Sequence, residues 1–142
     1  MNHDGFERDV LGAPARLERL LGSDLTQRIG AVPVLRRVLF VGMGSSRFAA
    51  IPQAALLRSR GLDAITELAS TDLPTLPARD LLVVAVSASG TTPETVEALG
   101  RHVGTSTTVA VTNDPDAPLG RGATHVLPLE AGVEEGGVSC LT

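Results

Sequence analysis

From residue 35 onward the chain alternates short apolar runs with stretches of helical spacing, separated by clusters of Gly, Pro, Ser and Asp. Val38-Leu39-Phe40-Val41 and Leu81-Leu82-Val83-Val84-Ala85-Val86 are apolar at every position. A strand covered on both faces needs that pattern, whereas a half-exposed strand alternates. Ala64–Leu68 and Thr107–Val111 read as further strands, and Thr124–Pro128 reads as an edge strand because of its proline. Phe48–Arg60 reads as a helix stopped by Gly61. Thr91–Val103 reads as another, with Pro93 and Glu94 in the first turn, where both are favourable. A short turn of helix follows near Ala117–Arg121. Upstream, Leu11, Leu17, Leu20, Leu21, Leu25 and Ile29 are spaced by threes and fours, and Pro14 and Gly22 interrupt them. Two short helices packing on the domain are therefore expected within residues 7–30. The chain divides into an N-terminal helical segment, residues 1–34, and a domain from 35 to 142. Alternation of strand and helix argues for a parallel α/β sheet with helices on both sides.

Composition narrows the function classes. At 142 residues and 43% hydrophobic content, one domain with a sizeable core fits. All 12 cationic residues are Arg, so no phosphate-loop lysine and no Schiff-base lysine exists in this chain. Aromatics are 2%, too few for base-stacking platforms, and the net charge of −4 offers no field for a nucleic-acid backbone. Neither a nucleic-acid partner nor a membrane partner is expected. No apolar stretch is long enough to span a bilayer, and the first residues lack the order of a signal peptide. The lone Cys140 fits a reducing compartment, so a cytoplasmic location is expected. With no His partner within motif reach, Cys140 reads as an ordinary small residue.

Candidate chemistry gathers in the loops after the first and third strands. Gly44, Ser45 and Ser46 follow one; Ser87, Ser89, Gly90, Thr91 and Thr92 follow the other. A helix N-terminus offers unpaired N–H groups and a partial positive charge, which suits an anion without any lysine. In a sheet ordered 2-1-3-4-5 these two loops flank the point where the strand order reverses, the usual ligand crevice of such folds. Hydroxyls at helix starts also serve as ordinary N-caps. Gly42-x-Gly44-x-x-Arg47 further invites a dinucleotide site with Glu67 as the ribose-binding acid, although Arg47 replaces the third glycine. A third constellation, Ala131-Gly132-Val133-Glu134-Glu135-Gly136-Gly137-Val138-Ser139, could bring a carboxylate and amides over the same crevice or form a solvated acidic loop. His102, near a helix end, and His125, at the edge strand, read as surface residues.

Taken together, Gly44-Ser45-Ser46, Ser87-Ala88-Ser89-Gly90-Thr91-Thr92 and Ala131-Gly132-x-Glu134-x-Gly136-x-Val138-Ser139 resemble the sugar isomerase (SIS) domain family. Glu67-Leu68-Ala69-Ser70 is similar to a further family segment. Within the family the resemblance is to the first SIS half of the isomerase part of glucosamine-6-phosphate synthases. It implies a flavodoxin-like three-layer sandwich with a five-stranded parallel sheet, and a phosphosugar ligand without cofactor or metal. The phosphate would lie on Ser46, Ser87, Ser89 and Thr92, with Ser45 and the Gly90 backbone beside it. Glu134, in a positioning role, and Gly137, Val138 and Ser139 would line the sugar side. The family's catalytic carboxylate, histidine and lysine would come from a second SIS half, so a homodimer or a longer chain is implied. Ala88, Thr91 and Leu141 stand where the synthases have Gln, Glu and Lys, and Arg47 where an aromatic is usual. Ser139 also reads as the N-cap of a helix, which would continue past Thr142 or be replaced by cover from a second copy.

Overall fold

The computed structural model describes residues 2–136. Five strands, β1 (Arg37–Gly42), β2 (Asp63–Leu68), β3 (Leu81–Val86), β4 (Thr107–Thr112) and β5 (His125–Pro128), form one parallel sheet in the order β2-β1-β3-β4-β5. Helices α1 (His3–Gly22), α2 (Leu25–Gly30), α3 (Gly44–Ser59), α4 (Pro93–Gly100) and α5 (Pro118–Gly122) complete the flavodoxin-like α/β arrangement.

Apolar side chains of β1 and β3 separate by parity, as the pleat requires. Leu39, Val41, Leu81, Val83 and Ala85 pack with Ala98 and Leu99 of α4 and Leu119 of α5 on one face. Val38 packs with Ala54 of α3 and Ala64 of β2 on the other, where Phe40, Leu82 and Val84 are only half-buried. Continuous apolarity in β1 and β3 therefore serves two faces, one more completely closed than the other. Leu39, Leu99 and Leu119 are fully buried; each contributes on the order of 1.5–3 kcal/mol by leaving water.

Three sequence expectations need correction. Pro14 does not end a helix: α1 runs through it for 20 residues and stops at Gly22. Proline deprives only the Val10 carbonyl of its donor, and Val10 lies on an exposed stretch that water can reach. The neighbouring Asp9 carbonyl accepts from Arg16 Nη1 at 2.6 Å. Secondly, α3 begins at Gly44, so Ser45 and Ser46 belong to its first turn rather than to a preceding loop. Thirdly, His102 is not on the surface; it is 2% exposed, while His125 is half-buried on β5. The His102 ring meets Ser106 Oγ through Nδ1 at 3.2 Å, and Ser106 Oγ accepts from Ala78 N–H at 3.1 Å. That relay ties the turn after α4 to the segment leading into β3.

Burial lowers the His102 pKa from its ordinary 6.5; Glu67 opposes the shift and Arg101 adds to it. The unfolded chain therefore takes up this proton first as pH falls. The stability contributed is complete above 6.5 and is lost as pH falls toward the lowered folded value. Urea unfolding midpoints should decrease between pH 7.5 and pH 5, and H102Q should decrease less over the same interval. Equal pH dependence in both proteins would remove His102 as the cause.

Candidate functional site

Reversal of strand order between β1 and β3 brings the starts of α3 and α4 to the same edge of the sheet. Between them lies a narrow cleft of about 130 Å³ lined by Met43, Ser46, Val86, Ser87, Ala88, Ser89 and Thr92. Ser46 comes from the first turn of α3, and Thr92 occupies the N-cap position of α4. Thr92 makes no side-chain cap bond; its Oγ1 pairs instead with Ser87 Oγ at 3.0 Å. The capping residue of α3, Met43, has no side-chain cap bond either. Hydroxyls that leave the helix ends uncapped and crowd one small cleft fit an anion better than ordinary capping does.

Gly90 shapes this loop from behind. Its φ is +67°, and a Cβ there would lie 2.7 Å from both Ala117 Cβ and Thr112 Oγ1. Its N–H reaches Ser87 Oγ at 3.2 Å, and its carbonyl accepts from Leu119 N–H at 3.0 Å. Gly90 is buried and lines neither cleft, so its part is to let the chain turn tightly beneath Ser89.

A wider cleft of about 640 Å³ adjoins the first across Ala88 and Ser89, which line both. Its far wall is Asn113 and Asp114 after β4 and the segment Leu129–Glu134 after β5. Asp114, Glu130 and Glu134 are its charged residues, and none of its lining residues is cationic. Glu134 Oε1 is buried and has no hydrogen-bond partner in the protein. A buried carboxylate oxygen in that state calls for a donor, and hydroxyl groups are suitable ones.

Of the residues expected from the sequence, Ser46, Ser87, Ser89 and Thr92 share the narrow cleft, and Glu134 faces the wide one. Ser45 is exposed and stands outside both clefts. Gly137, Val138 and Ser139 lie outside the described residues. Sequence reasoning missed Asn113. Its Oδ1 accepts from Ala131 N–H at 2.7 Å and its Nδ2 donates to the Gly132 carbonyl, so it holds the wall of the wide cleft. The only signal was its place directly after a buried strand.

The dinucleotide alternative finds little support. Glu67, its ribose acid, accepts from Thr75 N–H at 2.9 Å and Thr75 Oγ1 at 2.7 Å, binding the turn after β2. Arg47 lies in the first turn of α3 at the position of the third glycine, its Nε buried without a partner. Among the described residues no cluster of His, Cys, Asp or Glu could hold a metal, and no helix is long and apolar enough to cross a membrane.

The SIS domain family model matches residues 35–142. Among solved structures, a proposed phosphosugar isomerase from Silicibacter pomeroyi is 26% identical with a TM-score of 0.75, covering 92% of this chain and 43% of its own. A proposed phosphosugar isomerase from Bacillus subtilis is also 26% identical, with a TM-score of 0.59, covering 78% of this chain and 35% of its own. The sugar isomerase domain of an RpiR transcription factor from Sphaerobacter thermophilus is 23% identical with a TM-score of 0.64, covering 88% of this chain and 73% of its own. The chain thus spans well under half the length of both isomerase-described proteins. No curated protein matches the sequence significantly.

Substituting Gly90 tests the turn under Ser89. G90A should lower stability by about 1–3 kcal/mol, since a left-handed residue gains a Cβ with no space for it. Chemical denaturation measures this directly; a change below about 0.5 kcal/mol would show that the loop relaxes without cost.

Proposed function

The chain belongs to the SIS domain family, and on that premise we propose that its joined clefts bind a phosphosugar. Phosphate occupies the Ser46, Ser87, Ser89 and Thr92 cleft, and the sugar extends past Ala88 toward Asn113 and Glu134. The observation that carries this reading is the meeting of four hydroxyls and two uncapped helix starts at one end of a longer, acid-lined cleft. Phosphate contacts fix one end of the ligand, and their binding energy orients the carbons at the other. The wide cleft disfavours a second anionic group, because its charged side chains are all carboxylates.

Two uses of such a site remain in play. In the first, the domain belongs to an isomerase or aminotransferase-type protein, and ketose–aldose conversion moves a proton between C1 and C2 of the opened sugar. Glu134 then positions hydroxyls, and a second SIS domain, from a partner copy or a longer chain, supplies the base and the ring-opening group. The motif likeness to the first SIS half of glucosamine-6-phosphate synthases supports that lineage. In the second, the domain senses a phosphosugar and regulates a partner. This use asks for nothing beyond the binding groups on this chain, which has no lysine and whose His3, His102 and His125 line neither cleft. A cytoplasmic setting suits both.

Calorimetric titration of the 142-residue chain with hexose 6-phosphates should show saturable binding. S89A and T92A should each weaken it by about 1–3 kcal/mol, the range for a bond to a charged group. Unchanged affinity in both variants would remove the phosphate assignment. Exchange of C2 deuterium from a bound hexose phosphate would establish catalysis by this chain, and binding without exchange would leave either the sensor or a domain whose chemistry needs a second SIS domain. NAD and NADP should not bind saturably; micromolar affinity would restore the dinucleotide reading.

A further inference from the structure

Residues 1–34 lie outside the stretch matched by the family model, yet one side chain among them holds the chain directly beyond Glu134. Asp9 of α1 is 2% exposed. Its Oδ2 accepts the main-chain N–H groups of Gly136 at 2.7 Å and Glu135 at 2.9 Å. Its Oδ1 accepts from Arg16 Nη2 at 3.3 Å. A buried carboxylate with two amide donors and a guanidinium is a fully engaged group, not a solvated surface acid.

The helix is cut to fit this contact. Gly5, Asp9, Gly12 and Arg16 recur at spacings of four and three, which places them on one stripe of α1. A Cβ at Gly5 would lie 2.5 Å from the Glu135 carbonyl oxygen. At Gly12 it would lie 3.1 Å from the Arg16 guanidinium, which needs that space to reach Asp9. From the opposite side, a Cβ at Gly136 would lie 2.6 Å from Phe6 Cα. Backbone therefore meets backbone, and glycine stands at both contacts.

Glu134 immediately precedes the two residues that Asp9 holds. Three residues before it, Ala131 is held by Asn113. The stretch Gly132–Glu134, which walls the wide cleft, is thus tied at both ends by side chains from elements remote in sequence. We propose that Asp9 is a positioning residue for the sugar-facing loop, so that α1 forms part of the ligand site through its hold on Glu135 and Gly136. This rests on the phosphosugar reading of the cleft. Burial alone would raise the Asp9 pKa; the Gly136 and Glu135 amides and then Arg16 outweigh it, keeping the value below 3.8 and the carboxylate charged at neutral pH. The exposed Arg8–Glu135 ion pair at 3.1 Å adds little.

Binding of inorganic phosphate and of fructose 6-phosphate to the full chain separates the two ends of the site. The parent should prefer the sugar phosphate. In D9A that preference should shrink by about tenfold or more, while inorganic phosphate binds within about twofold of the parent. D9N keeps one acceptor but sets an amide donor against either Arg16 or the loop, and should fall between. G5A leaves Asp9 intact and pushes on Glu135, so it should reproduce the D9A pattern and carries the test should D9A fail to fold. Hydrogen exchange reads the hold without ligand: the Glu135 and Gly136 amides should exchange about tenfold faster or more in D9A. An unchanged preference in both D9A and G5A would overturn the role of Asp9, as would equal losses for both phosphates or unchanged amide exchange in D9A. A parent with no preference for the sugar phosphate would instead overturn the phosphosugar reading, and this role with it.

Discussion

Right-handed crossover between parallel strands is the constraint on which this molecule depends. Because β2 lies on one side of β1 and β3 on the other, the chain leaves β1 toward one face and β3 toward the opposite face. The two departing helices diverge from a shared point at the carboxyl ends of the strands. No side chain has to be recruited to make a crevice there, since the path of the backbone opens it. What the sequence adds is chemistry suited to that opening: small residues for close approach, hydroxyls, and helix starts without side-chain caps.

Division of labour follows from how each wall is held. The narrow cleft is built on the sheet itself, with Ser87 directly after β3 and Gly90 wedged against Thr112 and Ala117. Gly90, buried between them, leaves that turn no room for a side chain. The wide cleft has one wall of irregular chain after β5, which no ladder supports. Its position depends on Asn113 from one direction and Asp9 from the other. A cleft made by the fold and a wall held by two side chains differ in what a single substitution can do to them.

The same distinction explains what could be seen in the sequence. Continuous apolar runs gave away β1 and β3, and small polar residues after them pointed to Ser46 and to Ser87–Thr92, because both signals are local. Pro14 misled, since the one carbonyl it frees, that of Val10, lies on the exposed side of α1 where its loss costs little and the helix carries on. His102 near a helix end looked solvated; its burial depends on Ser106 and on the Ala78 amide 24 residues upstream. Asp9 was invisible for the same reason on a larger scale, because its partners are Glu135 and Gly136 at the other end of the chain. In retrospect the spacing of Gly5, Asp9, Gly12 and Arg16 on one helix was a trace of it. Glycine has no propensity reason to recur inside a helix, so its presence pointed to close packing.

In the proposed complex, one end of a phosphosugar sits on hydroxyls where the strand order reverses between β1 and β3, and the other faces Glu134. A crystal structure of the chain with a bound hexose 6-phosphate tests it most directly. Phosphate oxygens should lie within hydrogen-bond distance of Ser46, Ser87, Ser89 and Thr92, with sugar hydroxyls reaching the Glu134 carboxylate. Phosphate density elsewhere on the protein, or a sugar turned away from Glu134 into solvent, would contradict it.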